Sequence, residues 1–319
     1  MPYTNKKNKR IKEKKKKMKK VLVVMGGFSS EREVSLVGGK NIAEALRKKG
    51  YDVVEHDLTD GHLFYQALQG EKPDVVFNAL HGNWGEDGEI QGFLDILQIP
   101  YTHSCLKASF LGMNKHMTKE VCFRNSINTA PYEIMTFEDF QNKGTKIKMP
   151  YVVKPQADGS SVGVFIVQNE EDKKKVFYEN KEAEILIEKY IAGRELTVSV
   201  FQDRACCVTE LKPETEFYDY KAKYTNGVTR HILPADVPQD VAKTAMDYAL
   251  RLHRLLGCNT VSRCDFRYNE KDGVVLLEIN TNPGMTPLSL VPEQAKYIGV
   301  SYEDLCAALV ENAKCRAIK

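Results

Sequence analysis

Three oxygen-bearing side chains and a guanidinium fall within 28 residues near the C-terminus: Arg263-Cys264-Asp265, then Leu277-Glu278-Ile279-Asn280, then Thr281-Asn282-Pro283-Gly284-Met285 and Ser289-Leu290. Asp265, Glu278 and Asn280 offer the hard oxygen ligands that Mg²⁺ takes when held between a protein and nucleotide phosphates. Side chains alternate along a strand, so in a strand pair Arg263 and Asp265 share one face, as do Glu278 and Asn280. Arg263 then lies beside the ligands, where its planar fork can steady an oxyanion or a carboxylate. The segment reads as a magnesium and acyl-phosphate site. Two surface strands with ordinary acids are the bland alternative, and four polar residues aimed at one face and followed by Asn-Pro-Gly weigh against it.

A second cluster is the loop Lys154-Pro155-Gln156-Ala157-Asp158-Gly159-Ser160-Ser161-Val162-Gly163. Its glycines and serines allow backbone N–H groups to close over phosphates, and Lys154 adds a fixed positive charge. It lacks the G-x-x-x-x-G-K-[ST] pattern and no helix is expected after it, so it is not a Walker loop. Gly-Ser loops alone are usually hairpin turns; the lysine and the metal ligands distinguish this one.

The elements that must position these groups alternate from Val21 onward. An apolar strand Val21 to Met25 ends in Gly26-Gly27, and Ser30 with Glu33 predicts a capping box before a helix to about Lys49. Strand Asp52 to Glu55, a helix near Leu63 to Leu68, strand Asp74 to Leu80 and a helix from about Ile90 to Leu97 complete an open α/β sheet. Ligands collect at the carboxyl ends of such strands, which makes Gly26 to Glu31 and His81 to Glu86 candidate substrate loops. A helical stretch from Leu106 to Arg124, interrupted near Gly112, leads to strands at Pro131 to Met135, Tyr151 to Lys154 and Val162 to Val167. Strands Ile185 to Tyr190, Leu196 to Phe201 and Cys206 to Leu211 follow. The Tyr-rich stretch between Pro213 and His231 reads as a lid. Val241, Ala245, Ala249, Leu252 and Leu256 form a helical core stripe, and residues 302 to 316 a closing helix.

The chain has 319 residues, 42% hydrophobic and 28% charged, ordinary values for a soluble enzyme of two or three domains. No apolar run approaches a membrane span and no secretory segment is expected. Eight cysteines without C-x-x-C spacing read as free cytosolic thiols. Nine lysines or arginines and one glutamate crowd the first 17 residues, so with a net charge of +3 the remainder is mildly acidic. That arm reads as solvated and disordered, with at most a nonspecific nucleic-acid contact, since no aromatic residue interleaves with its lysines. Met18 is an alternative start.

The motifs Gly26-Gly27-Phe28-Ser29-Ser30-Glu31-Arg32-Glu33-Val34-Ser35-Leu36, Leu80-His81-Gly82 with Gly85-Glu86-Asp87-Gly88, the Lys154 loop, the Tyr-rich lid and the Arg263 to Leu290 block occur in one order from about Met18 to the C-terminus. In that order and spacing the chain resembles the D-alanine-D-alanine ligases of the ATP-grasp superfamily. The resemblance implies an α/β protein, α+β in its C-terminal part, with a three-domain ATP-grasp fold and an N-terminal open α/β (pre-ATP-grasp) domain. Its parts would be the basic arm 1–17, a substrate domain 18–103, a central subdomain 104–187 and a C-terminal subdomain 188–319 with lid 213–231.

The implied reaction joins two D-alanines in two steps. The carboxylate of the first attacks the γ-phosphate of ATP, and the amine of the second displaces phosphate from the acyl phosphate. Both steps build charge on oxygen, so catalysis would rest on positioning and electrostatics. By the resemblance, Lys115, Lys154 and Ser161 would hold ATP phosphates, and Lys223 would reach the γ-phosphate when the lid shuts. The backbone from Glu188 to Ile191 would meet adenine, Tyr190 and Phe217 would stack on it, and Glu195 would bind ribose. Asp265, Glu278 and Asn280 would hold two Mg²⁺, with Mn²⁺ an acceptable substitute. Glu31 would anchor the first D-alanine ammonium with His81 nearby, while Arg263 and the Gly284 N–H would stabilise the tetrahedral oxyanion. Ser289 and Leu290 would bind the second D-alanine. Glu31, Ser160 and Tyr224 would latch the lid and exclude water. A cytoplasmic homodimer serving peptidoglycan precursor synthesis is implied.

Other ATP-grasp carboxylate-amine ligases would differ at Glu31, Tyr224 and Ser289, whereas D-alanine-D-lactate or D-alanine-D-serine ligases would share nearly everything, the depsipeptide-forming ones lacking Tyr224. A non-catalytic nucleotide or nucleic-acid binder would account for the arm, but not for Arg263, Glu278 and Asn280 together. Two departures from the family pattern stand out: His103, where glycine is frequent, and Asn83-Trp84 before Gly85.

Overall fold

The computed structural model describes residues 18–157, 163–213 and 229–317. Three sheets organise them. The first is parallel, with order β2-β1-β3: β1 (Lys20–Gly26), β2 (Asp52–Leu58) and β3 (Val75–Asn78). Helices α1 (Arg32–Lys48), α2 (Gly61–Glu71) and α3 (Glu89–Ile96) follow the three strands in turn. Because a parallel sheet is covered on both faces, β1 is apolar throughout rather than alternating. Val21, Val23 and Met25 face one core, Leu22 and Val24 the opposite one with Phe64 and Leu94. The chain leaves β1 toward one side and β3 toward the other, so the crevice at their carboxyl ends is the switch point where such sheets take ligands.

The expected capping box at Ser30 is not formed. Glu31 occupies the N-cap position of α1 and no side chain caps that end. The backbone N–H of Glu31 is instead held by Ser29 Oγ at 3.2 Å, which ties the turn before the helix begins. Helix α2 is capped as the rules prescribe, Asp60 accepting from the N–H groups of His62 and Leu63.

The long helical stretch breaks at Asn114 rather than at Gly112, giving α4 (Leu106–Met113) and α5 (Lys115–Arg124). Asn114 is extended and its side chain caps α5 by accepting from Met117 N. Gly112 has a different purpose, since a Cβ there would lie 2.6 Å from Thr281 Cγ2. The second sheet is antiparallel, order β4-β7-β5-β6, from β4 (Tyr132–Thr136), β5 (Tyr151–Pro155), β6 (Phe165–Val167) and β7 (Glu184–Lys189). β7 runs two residues past the divide expected at 187. Short helices α6 (Phe137–Lys143) and α7 (Glu170–Lys175) were not anticipated, being too brief to show a period.

The third sheet is antiparallel with order β10-β9-β8-β11-β12, from β8 (Arg194–Phe201), β9 (Arg204–Pro213), β10 (Thr229–Ile232), β11 (Val261–Asn269) and β12 (Gly273–Asn280). Helix α8 (Gln239–Leu256) lays the expected stripe of Val241, Ala245, Ala249, Leu252 and Leu256 into its core. Helix α9 (Leu290–Tyr297) docks on the sheet through Gln294, whose side chain accepts from Ser199 N and donates to Thr209 Oγ1. The closing helix α10 (Tyr302–Glu311) ends earlier than residue 316. Its Leu305 and Leu309 join Val21, Val23 and Met25 in one core, so the last helix completes the first sheet. Among the described residues no helix is long and apolar enough to cross a membrane. All eight cysteines are free.

Candidate active site

The two loops at the switch point are fastened to each other. Ser35 Oγ accepts from Gly26 N at 2.8 Å and donates to Ala79 O at 2.7 Å, and Ser29 Oγ donates to His81 O at 2.7 Å. Gly26 has φ +84, and a Cβ there would strike Asp57 Oδ1 at 2.2 Å, so only glycine fits this turn. Glu31 is 7% exposed and faces Gly82, whose missing Cβ would lie 3.5 Å from Glu31 Oε2. His81 is buried and meets Glu86 Oε1 through Nδ1 at 3.1 Å. Burial alone would pull the His81 imidazolium down, but Glu86 and then Glu31 outweigh it and raise it above the ordinary histidine value. Glu86 was quoted only as part of its loop; the structure makes it the partner of His81. At the loop tips, Trp84 packs edge-on against Phe28, ring centroids 5.8 Å apart. His103 has φ +66 and is buried, which explains why a family with this backbone favours glycine there.

Across the crevice lie β11 and β12. Their register pairs Arg263 with Asn280 and Asp265 with Glu278, which puts all four side chains on one face, as the alternation requires. Asp265 is buried, accepts from Thr197 Oγ1 at 2.7 Å and is gripped by Arg263 Nη2 at 2.8 Å. Glu278 lies 4.0 Å from the ammonium of Lys115. Asn280 Oδ1 accepts from Asn282 N at 2.9 Å, and Asn282 Nδ2 reaches over to Leu80 O at 2.8 Å, joining this block to the first sheet. Thr197 carried no signal in the sequence, whereas Asn282 belongs to the Asn-Pro-Gly run that marked this block. The donor set fits Mg²⁺: hard oxygens only, with two carboxylates directly opposite each other. Among the described residues no three His, Cys, Asp or Glu side chains form a cage of their own.

The basic groups come from α5 and β5. Lys115 opens α5 and is buried, and its backbone N–H donates to Gln156 O at 3.0 Å. Lys154 is buried on β5 with its ammonium 2.6 Å from Glu188 Oε1. Glu188 Oε2 takes a second ammonium, that of Lys119, at 2.7 Å. Burial would raise the Glu188 carboxyl, but the two lysines bring it down to about 2. Lys119 was missed, although it stands one helical turn after Lys115. Tyr190 follows β7 half-buried, and its N–H is taken by Pro150 O at 3.1 Å. Glu195 on β8 pairs with Arg267 at 3.0 Å.

After β12 the chain turns through Gly284 to Ser289, which is the N-cap of α9. Ser289 Oγ accepts from Thr286 N at 3.1 Å and lies 3.2 Å from where a Cβ on Gly284 would be. Tyr302 Oη braces this turn by donating to Met285 O at 2.6 Å. A helix start with a serine at its cap suits a carboxylate. Leu290 is buried beside it. Ser160, Ser161, Phe217, Lys223 and Tyr224, and the basic arm 1–17, lie outside the described residues.

Known proteins share both sequence and architecture with this chain. Residues 65–104 match the family model described as D-ala D-ala ligase N-terminus, and residues 122–311 the one described as D-ala D-ala ligase C-terminus. A D-alanine–D-alanine ligase of Ruegeria sp. (strain TM1040) is 48% identical over 299 residues, covering 93% of this chain and 96% of the relative. One from Gluconobacter oxydans (strain 621H) is also 48% identical, covering 93% of this chain and 100% of the relative. The crystal structure of the Bacillus anthracis D-alanine–D-alanine ligase complexed with ATP superposes with a TM-score of 0.77 at 31% identity, covering 92% of this chain and 96% of that one. The shared architecture is the ATP-grasp fold, and the chain belongs to the D-alanine–D-alanine ligase family.

Proposed function

We propose that this protein joins two D-alanine molecules into D-alanyl-D-alanine, with ATP cleaved to ADP and phosphate. The observation that carries the reading is the Asn282–Leu80 bond, which sets the Glu31 and His81 loops of one sheet against the Arg263, Asp265 and Glu278 face of another. The family relationship supports the same reaction. A D-alanine-D-lactate or D-alanine-D-serine specificity is the alternative, and no observation favours it.

In this reading a carboxylate oxygen of the first D-alanine attacks the γ-phosphorus, ADP leaves, and an acyl phosphate remains. The amine of the second D-alanine, having lost a proton, attacks the acyl carbon; the tetrahedral intermediate collapses with loss of phosphate. Glu31 takes the first ammonium at the switch-point crevice, and the hydrogen-bonded His81–Glu86 pair fixes the loop beside it. Lys115 and Lys154 take ATP phosphates. Adenine stacks at Tyr190, where the contacts left to the hinge backbone exclude the Tyr190 N–H already given to Pro150. Glu195 takes the ribose. Arg263 and the Gly284 N–H receive the oxyanion, and Ser289 with the start of α9 receives the second carboxylate while Leu290 covers it. Mg²⁺, or Mn²⁺, held by Asp265, Glu278 and Asn280, would neutralise phosphate charge during transfer. Ser160, Ser161, Phe217, Lys223 and Tyr224 enter this reading through the resemblance alone.

Residues 18–103, 104–187 and 188–319 are taken as the three domains, with a lid at 213–231. A homodimer, a cytoplasmic location and supply of the peptidoglycan dipeptide belong to the same reading.

The test is phosphate release from ATP and Mg²⁺ with D-alanine, L-alanine, D-lactate plus D-alanine, or no amino acid, with products weighed by mass spectrometry. Release that needs D-alanine and yields the dipeptide is expected. Release without amino acid, or a depsipeptide as main product, would overturn the assignment.

A further inference from the structure

Lys119 is the least exposed charged residue among the described residues: a lysine 1% exposed, in the interior between α5 and the second sheet. Lysine is almost never fully buried unless paired. Its ammonium lies 2.7 Å from Glu188 Oε2, 2.8 Å from Thr129 Oγ1 and 3.2 Å from Ala130 O. Thr129 Oγ1 already gives its own hydrogen to Leu276 O, so it can only accept from Lys119. The other two partners are a carboxylate and a carbonyl, which also only accept. Thr129 Oγ1 and Ala130 O accept hydrogen bonds from Nζ, and the Glu188 carboxylate pairs with it at 2.7 Å, so that although burial pulls the lysine down, Glu188 favours its charged form. The Tyr132 ring, its centroid 5.3 Å from Nζ, adds a favourable face for a cation.

Glu188 is thus shared between two ammonium groups, Lys119 on Oε2 and Lys154 on Oε1. Two positive charges against one negative leave the cluster with one net positive charge. Lys154 stands at the edge of the glycine loop, whereas Lys119 is walled in. Were Lys119 absent, Glu188 would cancel Lys154, and an anion arriving at Lys154 would meet a neutral pair.

We propose that Lys119 is a positioning residue for nucleotide binding: its buried ammonium neutralises Glu188 and so keeps the charge of Lys154 available to the phosphates of ATP. This rests on the reading that Lys154 meets those phosphates. In low-dielectric surroundings one unit of charge a few ångströms from a phosphate is worth a large factor in affinity, about ten- to a hundredfold.

Four variants test it: Lys154→Met, Lys119→Met, Glu188→Gln and the double variant Lys119→Met/Glu188→Gln. Each is read by KM for ATP and for D-alanine in phosphate release, by ATP binding without D-alanine, and by thermal melting. Lys119→Met should raise KM for ATP about ten- to a hundredfold while KM for D-alanine stays within about twofold. The double variant removes one charge of each sign and restores a net positive charge, so its KM for ATP should return to within a few-fold of the unmodified protein. A residue that merely filled space would show no such recovery. If Lys119→Met does not fold, the double variant carries the test by itself, because an ATP affinity near the unmodified value is expected of it.

Unaltered ATP affinity in Lys119→Met, or a double variant as weak as the single one, overturns the inference. Unaltered affinity in Lys154→Met overturns the assignment of Lys154 to the phosphates, and this inference with it. Weakened binding in Lys154→Met but not in Lys119→Met isolates the failure to the positioning role.

Discussion

Arg263 grips Asp265, two residues along the same strand, in a fork of two charge-assisted hydrogen bonds, Nη2 to Oδ2 at 2.8 Å and Nε to Oδ1 at 3.0 Å. Thr197 holds the same carboxylate from the neighbouring strand at 2.7 Å. A divalent cation held by Asp265 would draw on that carboxylate, and the Arg263 fork would then be available to an oxyanion. Replacing Arg263 by Ala should therefore lower kcat about a hundredfold or more, as loss of an oxyanion donor does, with KM for ATP changed little. Steady-state kinetics decide this, and a loss carried wholly by KM for ATP would place Arg263 on the nucleotide instead.

Thr197 holds the carboxylate of Asp265, the residue proposed to bind Mg²⁺. Thr197→Val keeps the shape and removes the hydrogen bond, and the Mg²⁺ concentration for half-maximal activity should rise about ten- to a hundredfold. A chelator should abolish phosphate release, and added Mg²⁺ should restore it. An unchanged Mg²⁺ requirement in the valine variant would show that Asp265 is oriented by other contacts.

The His81–Glu86 pair makes a prediction with a sign. The folded value of His81 lies above the unfolded one, about 6.5, so the stability it contributes is present in full below that value and is lost as pH rises through the folded value. Glu86→Gln removes the charged partner but not the burial, which should drop His81 below its value in the unmodified protein. Imidazole chemical shifts followed against pH in both proteins check the ordering. Equal midpoints would mean that Glu31 alone sustains the charge.

Ser289 stands at the N-cap position of α9, and its Oγ, rather than capping the helix, accepts from Thr286 N in the turn after Gly284. Ser289→Ala should raise KM for D-alanine about tenfold, the worth of one hydrogen bond to a charged group, and leave ATP binding unaltered. Dipeptide formation at varied D-alanine reads this out. Equal shifts in both substrates would point to a disturbed helix rather than a lost contact.

Gly112 allows α4 to approach the end of β12, and an added methyl would lie 2.6 Å from Thr281 Cγ2. Gly112→Ala should destabilise by about 1–3 kcal/mol, the usual cost of overpacking. Urea unfolding measures it, and a neutral result would mean that Thr281 swings aside freely.

Much of this site was written in one dimension. Arg263, Asp265, Glu278 and Asn280 share a face because two adjacent strands impose a period of two, and that period is local. The two glycine-led loops were placed at strand ends by the same local logic, and the α8 stripe by the helical period. Local signals failed where several donors could serve one end of a helix. Ser30 reads as a cap, yet Ser29 holds the turn and Glu31 stands at the cap position.

Sequence alone determined that Arg263, Asp265, Glu278 and Asn280 share a face and that the two glycine-led loops lie at strand ends, because alternation and turn chemistry are properties of neighbours along the chain. Only the tertiary structure decided which of them touch. That Glu188 lies between Lys119 and Lys154, that Thr197 steadies Asp265, and that Asn282 bonds across to Leu80 each depend on segments up to about 200 residues apart meeting in one packed interior. No period along the chain records those meetings, since they are set by how sheets and helices fill the space between them.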